Sequence, residues 1–206
     1  MAVVVENTQL PFEGGDVPSV PIWRFSVAQY HETLRAGILT EDDPVELLNG
    51  WVVSKMMRNP KHRLATELVR DCLDGLVPQQ WHVNCQEPVT LSASEPEPDV
   101  TVIRGLRRDY VDRHPGPAEV ALVVEIADAR LDRDQVFKKA LYAQAGIQVY
   151  WVGNLLERRV EVYSKPSGPV AAPDYRTRHD YAPADEIPLL IEGREIGRVP
   201  VRDLLP

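Results

Sequence analysis

The sequence predicts an α/β fold, a mixed central β-sheet flanked by helices, and three observations carry that expectation. Val120-Ala121-Leu122-Val123-Val124-Glu125-Ile126 is almost continuously apolar, as in a strand covered on both faces. Leu131 to Ala145 has helical character, ends at Gly146, and leads into a second apolar strand, Ile147 to Val152. Asn49-Gly50 lies between the apolar runs Val45–Leu48 and Trp51–Val53, the strongest short-range hairpin signal.

The remaining elements follow in chain order. Residues 1–23 carry Pro11, Pro18, Pro21 and Gly14-Gly15 without periodicity and are expected to form an arm, with one domain over 24–206. Ser26 and Gln29 have the spacing of a capping box, and Gly37 is placed to end that helix. Asn59-Pro60 reads as an N-cap followed by proline in the first turn. Leu64, Leu68, Cys72 and Leu76 then repeat every four residues, predicting an amphipathic helix to about Val77. Trp81–Gln86 and Pro88–Leu91 read as a strand pair, and Asp99–Ile103 alternates polar with apolar. Arg159–Tyr163 is expected to pair with the Ile147 strand across a short turn, and the proline-rich tail to add short edge strands.

With 206 residues, 44% hydrophobic and 26% charged, the chain can bury an ordinary core. A net charge of −8 excludes coating nucleic acid through bulk charge and leaves only a local basic groove for that purpose. The longest charge-free run, Ala140 to Leu156, is interrupted by Gln144, Gly146, Gln148, Gly153 and Asn154 and cannot form a spanning helix of about 20 apolar residues. Cys72 and Cys85 make neither a C-x-x-C motif nor a disulfide framework. A cytoplasmic protein with reduced thiols is the expectation. There is no Gly-Lys dipeptide, no G-x-G-x-x-G and no G-x-S-x-G, and the five histidines lack metal-site spacing. Nucleotide-phosphate, serine-hydrolase and zinc-protease chemistry therefore lack their parts.

What remains is a set of acids in unfavourable places. A carboxylate within the Val120–Ile126 strand must be paired or bound to a cation. Asp99 follows Pro98 at the start of another strand. Asp134, Lys138 and Tyr142 share one face of the following helix. Two strand-borne carboxylates with a lysine nearby can hold a hard divalent cation and stabilise charge on a phosphate. Each residue also has a plainer reading. Asp99 can be a turn residue after proline, Glu125 can pair with an arginine such as Arg104, and Lys138 can pair with Asp134 on a solvated helix face. Tyr142 reads as packing, and Trp51, Trp81, Tyr150 and Trp151 as core or interface.

Taken in order, these residues resemble a known family. Val45-Glu46-Leu47-Leu48-Asn49-Gly50, His62, Glu97-Pro98-Asp99-Val100, Val123-Val124-Glu125-Ile126, Asp134 with Lys138, and Tyr142 through Trp151 resemble the Uma-type family of bacterial restriction endonucleases, within the PD-(D/E)XK, restriction-endonuclease-like superfamily. The resemblance spans roughly residues 24 to 165. It implies a single restriction-endonuclease-like domain with metal-dependent endonuclease activity on phosphodiester bonds, DNA in the first instance, and a homodimer. It further implies Mg²⁺ or Mn²⁺ held by Asp99, Glu125 and the backbone carbonyl of Ile126. Glu46 would stand at the edge of the same site, and Lys138 would activate water or stabilise the phosphorane. The position two after Glu125 is Ala127, not lysine, so the lysine is drawn from the helix, with Lys139 as the substitute. His62, Arg104, Arg107 and Arg108, with Arg113 in the same basic loop, are the candidate nucleic-acid contacts. Two other functions fit the same residues: an inactive nuclease-fold module binding nucleic acid or protein, and a metallohydrolase of small phosphodiesters.

Overall fold

The computed structural model describes residues 22–40, 42–55, 58–128 and 133–206, side chains at 133–135 excepted. The expected arm over 1–23 falls almost wholly outside the described residues, as do the start of the Leu131 helix and the side chain of Asp134.

Ser26 accepts from the Gln29 amide and Gln29 reaches back to the cap, so the capping box forms and starts α1 (Val27–Arg35). The hairpin is β1 (Val45–Leu48) and β2 (Trp51–Ser54), antiparallel. Asn49 and Gly50 both have positive φ, 48° and 80°, as a two-residue type I′ turn requires. Asn59 accepts from the His62 amide and caps α2 (Pro60–Asp74). The buried face of α2 is Ala65, Thr66, Val69 and Leu73, while Leu64 is exposed. The leucine stripe expected from the sequence therefore lies one position off the true core face, because small side chains at 65 and 66 let the helix approach the sheet.

The main sheet has six strands in the order β3-β4-β5-β6-β7-β8. These are β3 (Trp81–Cys85), β4 (Val100–Arg104), β5 (Val120–Ala127), β6 (Val149–Asn154), β7 (Arg159–Pro166) and β8 (Tyr175–Tyr181). Neighbours are antiparallel except β5 and β6, whose parallel pairing needs the crossover helix α3 (Arg133–Ala145). The partner of β3 is β4, not Pro88–Leu91, which forms no strand. Prolines at 88, 96 and 98 remove the donors a ladder needs, and that segment instead closes on itself through Val89 to Pro96 and Leu91 to Ser94. In the tail, β8 is an edge strand as expected. β9 (Glu186–Ile191) and β10 (Arg194–Pro200) form a separate hairpin that covers the sheet instead of extending it.

Alternation along β5 divides the core. Leu122, Val124 and Ile126 face α2 and the β9–β10 hairpin, together with Trp151, Ile187 and Leu189. Val123 and Ala127 face α3, together with Leu141, Tyr142, Ile147 and Tyr150. Every residue of β5 is buried, which costs nothing for the apolar positions and makes Glu125 the exception to be explained. No helix among the described residues is long and apolar enough to cross a membrane.

Candidate active site

Glu125 shares the α3-facing side of β5 with Val123 and Ala127. From that position it meets two side chains on one face of α3. Tyr142 donates its hydroxyl proton to Oε1 at 2.8 Å, and Lys138 Nζ lies 3.4 Å from the same oxygen. Lys138 also reaches Glu46 Oε1 at 3.0 Å, across from β1. The other Glu46 oxygen accepts from the Glu97 amide at 3.0 Å, so the hairpin is tied to the segment leading into β4. Val100 pairs with Val124, which brings Asp99 alongside Glu125. Asp99 Oδ2 accepts from the Ile126 amide at 2.9 Å and lies 3.1 Å from His62 Nε2.

Three carboxylates, Glu46, Asp99 and Glu125, are thus buried around one ammonium group. Burial pushes the Glu125 carboxyl up to about 7; Lys138 and the Tyr142 hydrogen bond oppose that shift, and the charges of Asp99 and Glu46 add to it. For Lys138 burial works against the charge, but Glu125 and Glu46 outweigh it and hold the pKa above the usual lysine value. His62 is likewise raised: burial lowers it, and the hydrogen bond and charge of Asp99 more than compensate. Among the described residues, no three His, Cys, Asp or Glu side chains are grouped closely enough to hold a metal ion by themselves. Between Glu46 and Glu125 stands the Lys138 ammonium.

The sequence Glu95-Pro96-Glu97-Pro98-Asp99 supports this arrangement. Its three acids, two apart, each take a basic partner from a different part of the chain. Glu95 pairs with His31 of α1 at 2.8 Å, Glu97 with Lys55 at the end of β2, and Asp99 with His62 at the start of α2 and Arg58 before it.

Glu46, Asp99, Glu125, Lys138 and His62 are therefore brought together, and Ile126 is tied to them through its amide. Lys139 is not, since it pairs with Asp174 and lies over the Tyr163 ring. Nor is the basic loop. Arg104 leaves the opposite end of β4 from Asp99, about 17 Å along a strand rising ~3.4 Å per residue. It pairs with Glu192 and covers Trp81, so it is not the partner of Glu125 either. Arg107 is spent on Asn84 and the Val83 carbonyl, Arg113 on Glu119, and Arg108 is exposed in the same turn. A strand cannot deliver both of its ends to one site, and this separation is invisible in the sequence order. Sequence reasoning reads Tyr142 as packing, quotes Glu97 without giving it a role, and misses Arg58. The alternation of acids and prolines over 95–99 was the signal for Glu97, since residues two apart in extended chain share a side.

A mixed sheet crossed by α3, with acids and a lysine gathered on the face that α3 covers, defines a restriction-endonuclease-like fold. The chain belongs to the Uma2 family, whose model, described as "Putative restriction endonuclease", matches residues 27–196. Among solved structures it is similar to the chain titled a "putative nuclease belonging to DUF820" from Anabaena variabilis ATCC 29413. That likeness has a TM-score of 0.63 at 18% identity and covers 87% of this chain and 97% of that one. No curated protein matches.

Proposed function

We propose that this protein is a Mg²⁺- or Mn²⁺-dependent nuclease hydrolysing phosphodiester bonds of nucleic acid, DNA in the first instance, with Asp99, Glu125, Glu46 and Lys138 as its working residues. The observation that carries the reading is the convergence of two buried strand carboxylates with one buried lysine. The donor set fits a hard cation. Tyr142 and Lys138 occupy one oxygen of Glu125, and Ile126 and His62 occupy one oxygen of Asp99. Among the described residues the second oxygen of each carboxylate accepts no hydrogen bond. Those two oxygens, with the Ile126 carbonyl, would hold the ion. A bound divalent cation supplies Lewis-acid polarisation of a phosphoryl oxygen and a more acidic water.

The residues of the chain then divide the remaining work. Lys138 keeps its proton in this setting, so it serves as a charged donor to the developing phosphorane and not as a base. Glu46 holds that ammonium in line with Glu125. Tyr142 fixes the Glu125 carboxyl through Oε1 and leaves its second oxygen to the ion. Cutting both strands of a duplex in one encounter takes two such sites, which supports a homodimer.

The test is calorimetric titration of Mn²⁺, with an oligonucleotide present, into wild type and the Asp99→Ala, Glu125→Ala double variant, followed by a cleavage screen over DNA and RNA. Binding and cleavage by wild type alone are expected. Binding without turnover on any polymer would instead make the chain an inactive binding module, and no binding by either protein would remove the nuclease reading.

A further inference from the structure

We infer that Arg58 is a substrate-phosphate anchor of this site, held in the metal-free protein on the Asp99 oxygen that the cation would take. The inference rests on the reading of the site as a nuclease centre.

A polyanion approaching these acids must meet positive charge, and the arginines after β4 stand at the other end of that strand. Of the cations beside the acids among the described residues, Lys138 and His62 have side chains only 12% exposed, and Lys138 is fixed between two carboxylates. Lys55 is 19% exposed and paired with Glu97. Arg58 differs on both counts: its side chain is 30% exposed, and its hold on the site is loose. Nε lies 3.8 Å from Asp99 Oδ1, outside hydrogen-bond range, and among the described residues the guanidinium donates no hydrogen bond. Its planar fork of five donors is thus unspent, which is the geometry suited to a phosphate.

The position is as informative as the freedom. Arg58 immediately precedes Asn59, whose side chain caps α2 and also reaches Asp128, three residues beyond Glu125. The arginine therefore springs from a fixed point at the mouth of the site. Oδ1 is the Asp99 oxygen left open by Ile126 and His62. A cation taking Oδ1 repels the guanidinium, which turns outward to a non-bridging phosphate oxygen while the site gains its metal. Arg58 and the cation are competitors for Asp99, and partners once substrate arrives.

That relation gives two effects of opposite sign in one variant. In Arg58→Ala, Mn²⁺ binding measured by calorimetry should tighten by about two- to tenfold, because a competing unit charge is gone. Binding of a labelled oligonucleotide in Ca²⁺ should weaken about tenfold, with the slope of log K against log salt shallower by about 0.7–0.9, the signature of one lost phosphate contact. Arg58→Lys should keep most of the salt slope and lose part of the affinity. Unchanged oligonucleotide affinity and slope in Arg58→Ala, with wild type still binding metal and cutting, would overturn the anchor and leave the nuclease reading standing. Weaker Mn²⁺ binding in that variant would also overturn it, making Arg58 a support for Asp99. A wild type that binds neither ion nor oligonucleotide would remove both inferences together.

Discussion

Lys138 and Lys139 are adjacent in sequence and opposite in circumstance. The first sits between two buried carboxylates, and removing it leaves Glu46 and Glu125 facing each other without compensation. Lys138→Ala should therefore destabilise the protein by about 3 kcal/mol, the scale of a broken buried ion pair. The second pairs with an exposed aspartate, and Lys139→Ala should cost under ~1 kcal/mol. Urea midpoints of the two variants decide the matter; equal, small losses would mean that Lys138 is an ordinary solvated lysine. Tyr142→Phe removes one hydrogen bond to Glu125 within an otherwise unchanged packing of rings. A loss of about 1 kcal/mol in stability is expected, together with weaker Mn²⁺ binding, because the carboxyl rotamer is then held by Lys138 alone.

At the scale of elements, the hairpin β1–β2 positions Glu46, and its turn tolerates little. Gly50 has φ +80°, and a Cβ added there would lie 2.7 Å from Arg24 Cβ and 3.0 Å from the Phe25 carbonyl. Gly50→Ala should cost 1–3 kcal/mol, readable as a lowered melting temperature, since the backbone strain and the clash fall on the same atom. The loop between β4 and β5 carries a pH-dependent clamp. Arg113, chiefly, and the Gly116 amide hold the Glu119 carboxyl down at about 2. A carboxyl lowered on folding stabilises above its unfolded pKa and loses that contribution as pH falls through its folded value of about 2. Arg113→Ala should accordingly lower the melting temperature slightly at pH 7 and leave it unchanged only once the pH is well below 2.

Much of this architecture was legible because local rules and tertiary packing agree. Caps at Ser26 and Asn59, the Asn49-Gly50 turn and the apolar runs of β5 and β6 announce themselves by type and spacing. The α2 face and the partner of β3 did not, since small residues at a helix interface and prolines in a folded-back loop carry no period. In the candidate site the acids could be picked out as charges in apolar surroundings. Lys138 and His62 came with the resemblance, but the basic partners Arg58, Lys55 and His31 could not be picked out, because they are ordinary surface types until the 95–99 segment draws them in.

For the molecule as a whole, the sheet separates two cores, one under α2 and the β9–β10 hairpin, the other under α3. If the proposed homodimer forms, sedimentation should give twice the 23.2 kDa chain mass; the monomer mass at working concentration would require duplex cutting by two separate encounters. The parallel β5–β6 pair has a consequence in time. It cannot zip from a turn, because the whole of α3 must be passed before the second strand meets the first. Until then Glu46, Asp99 and Glu125 come together without Lys138, and their mutual repulsion resists closure of the sheet. The rate of folding should therefore rise with added salt, which screens these charges, even as the finished protein relies on Lys138 to offset them.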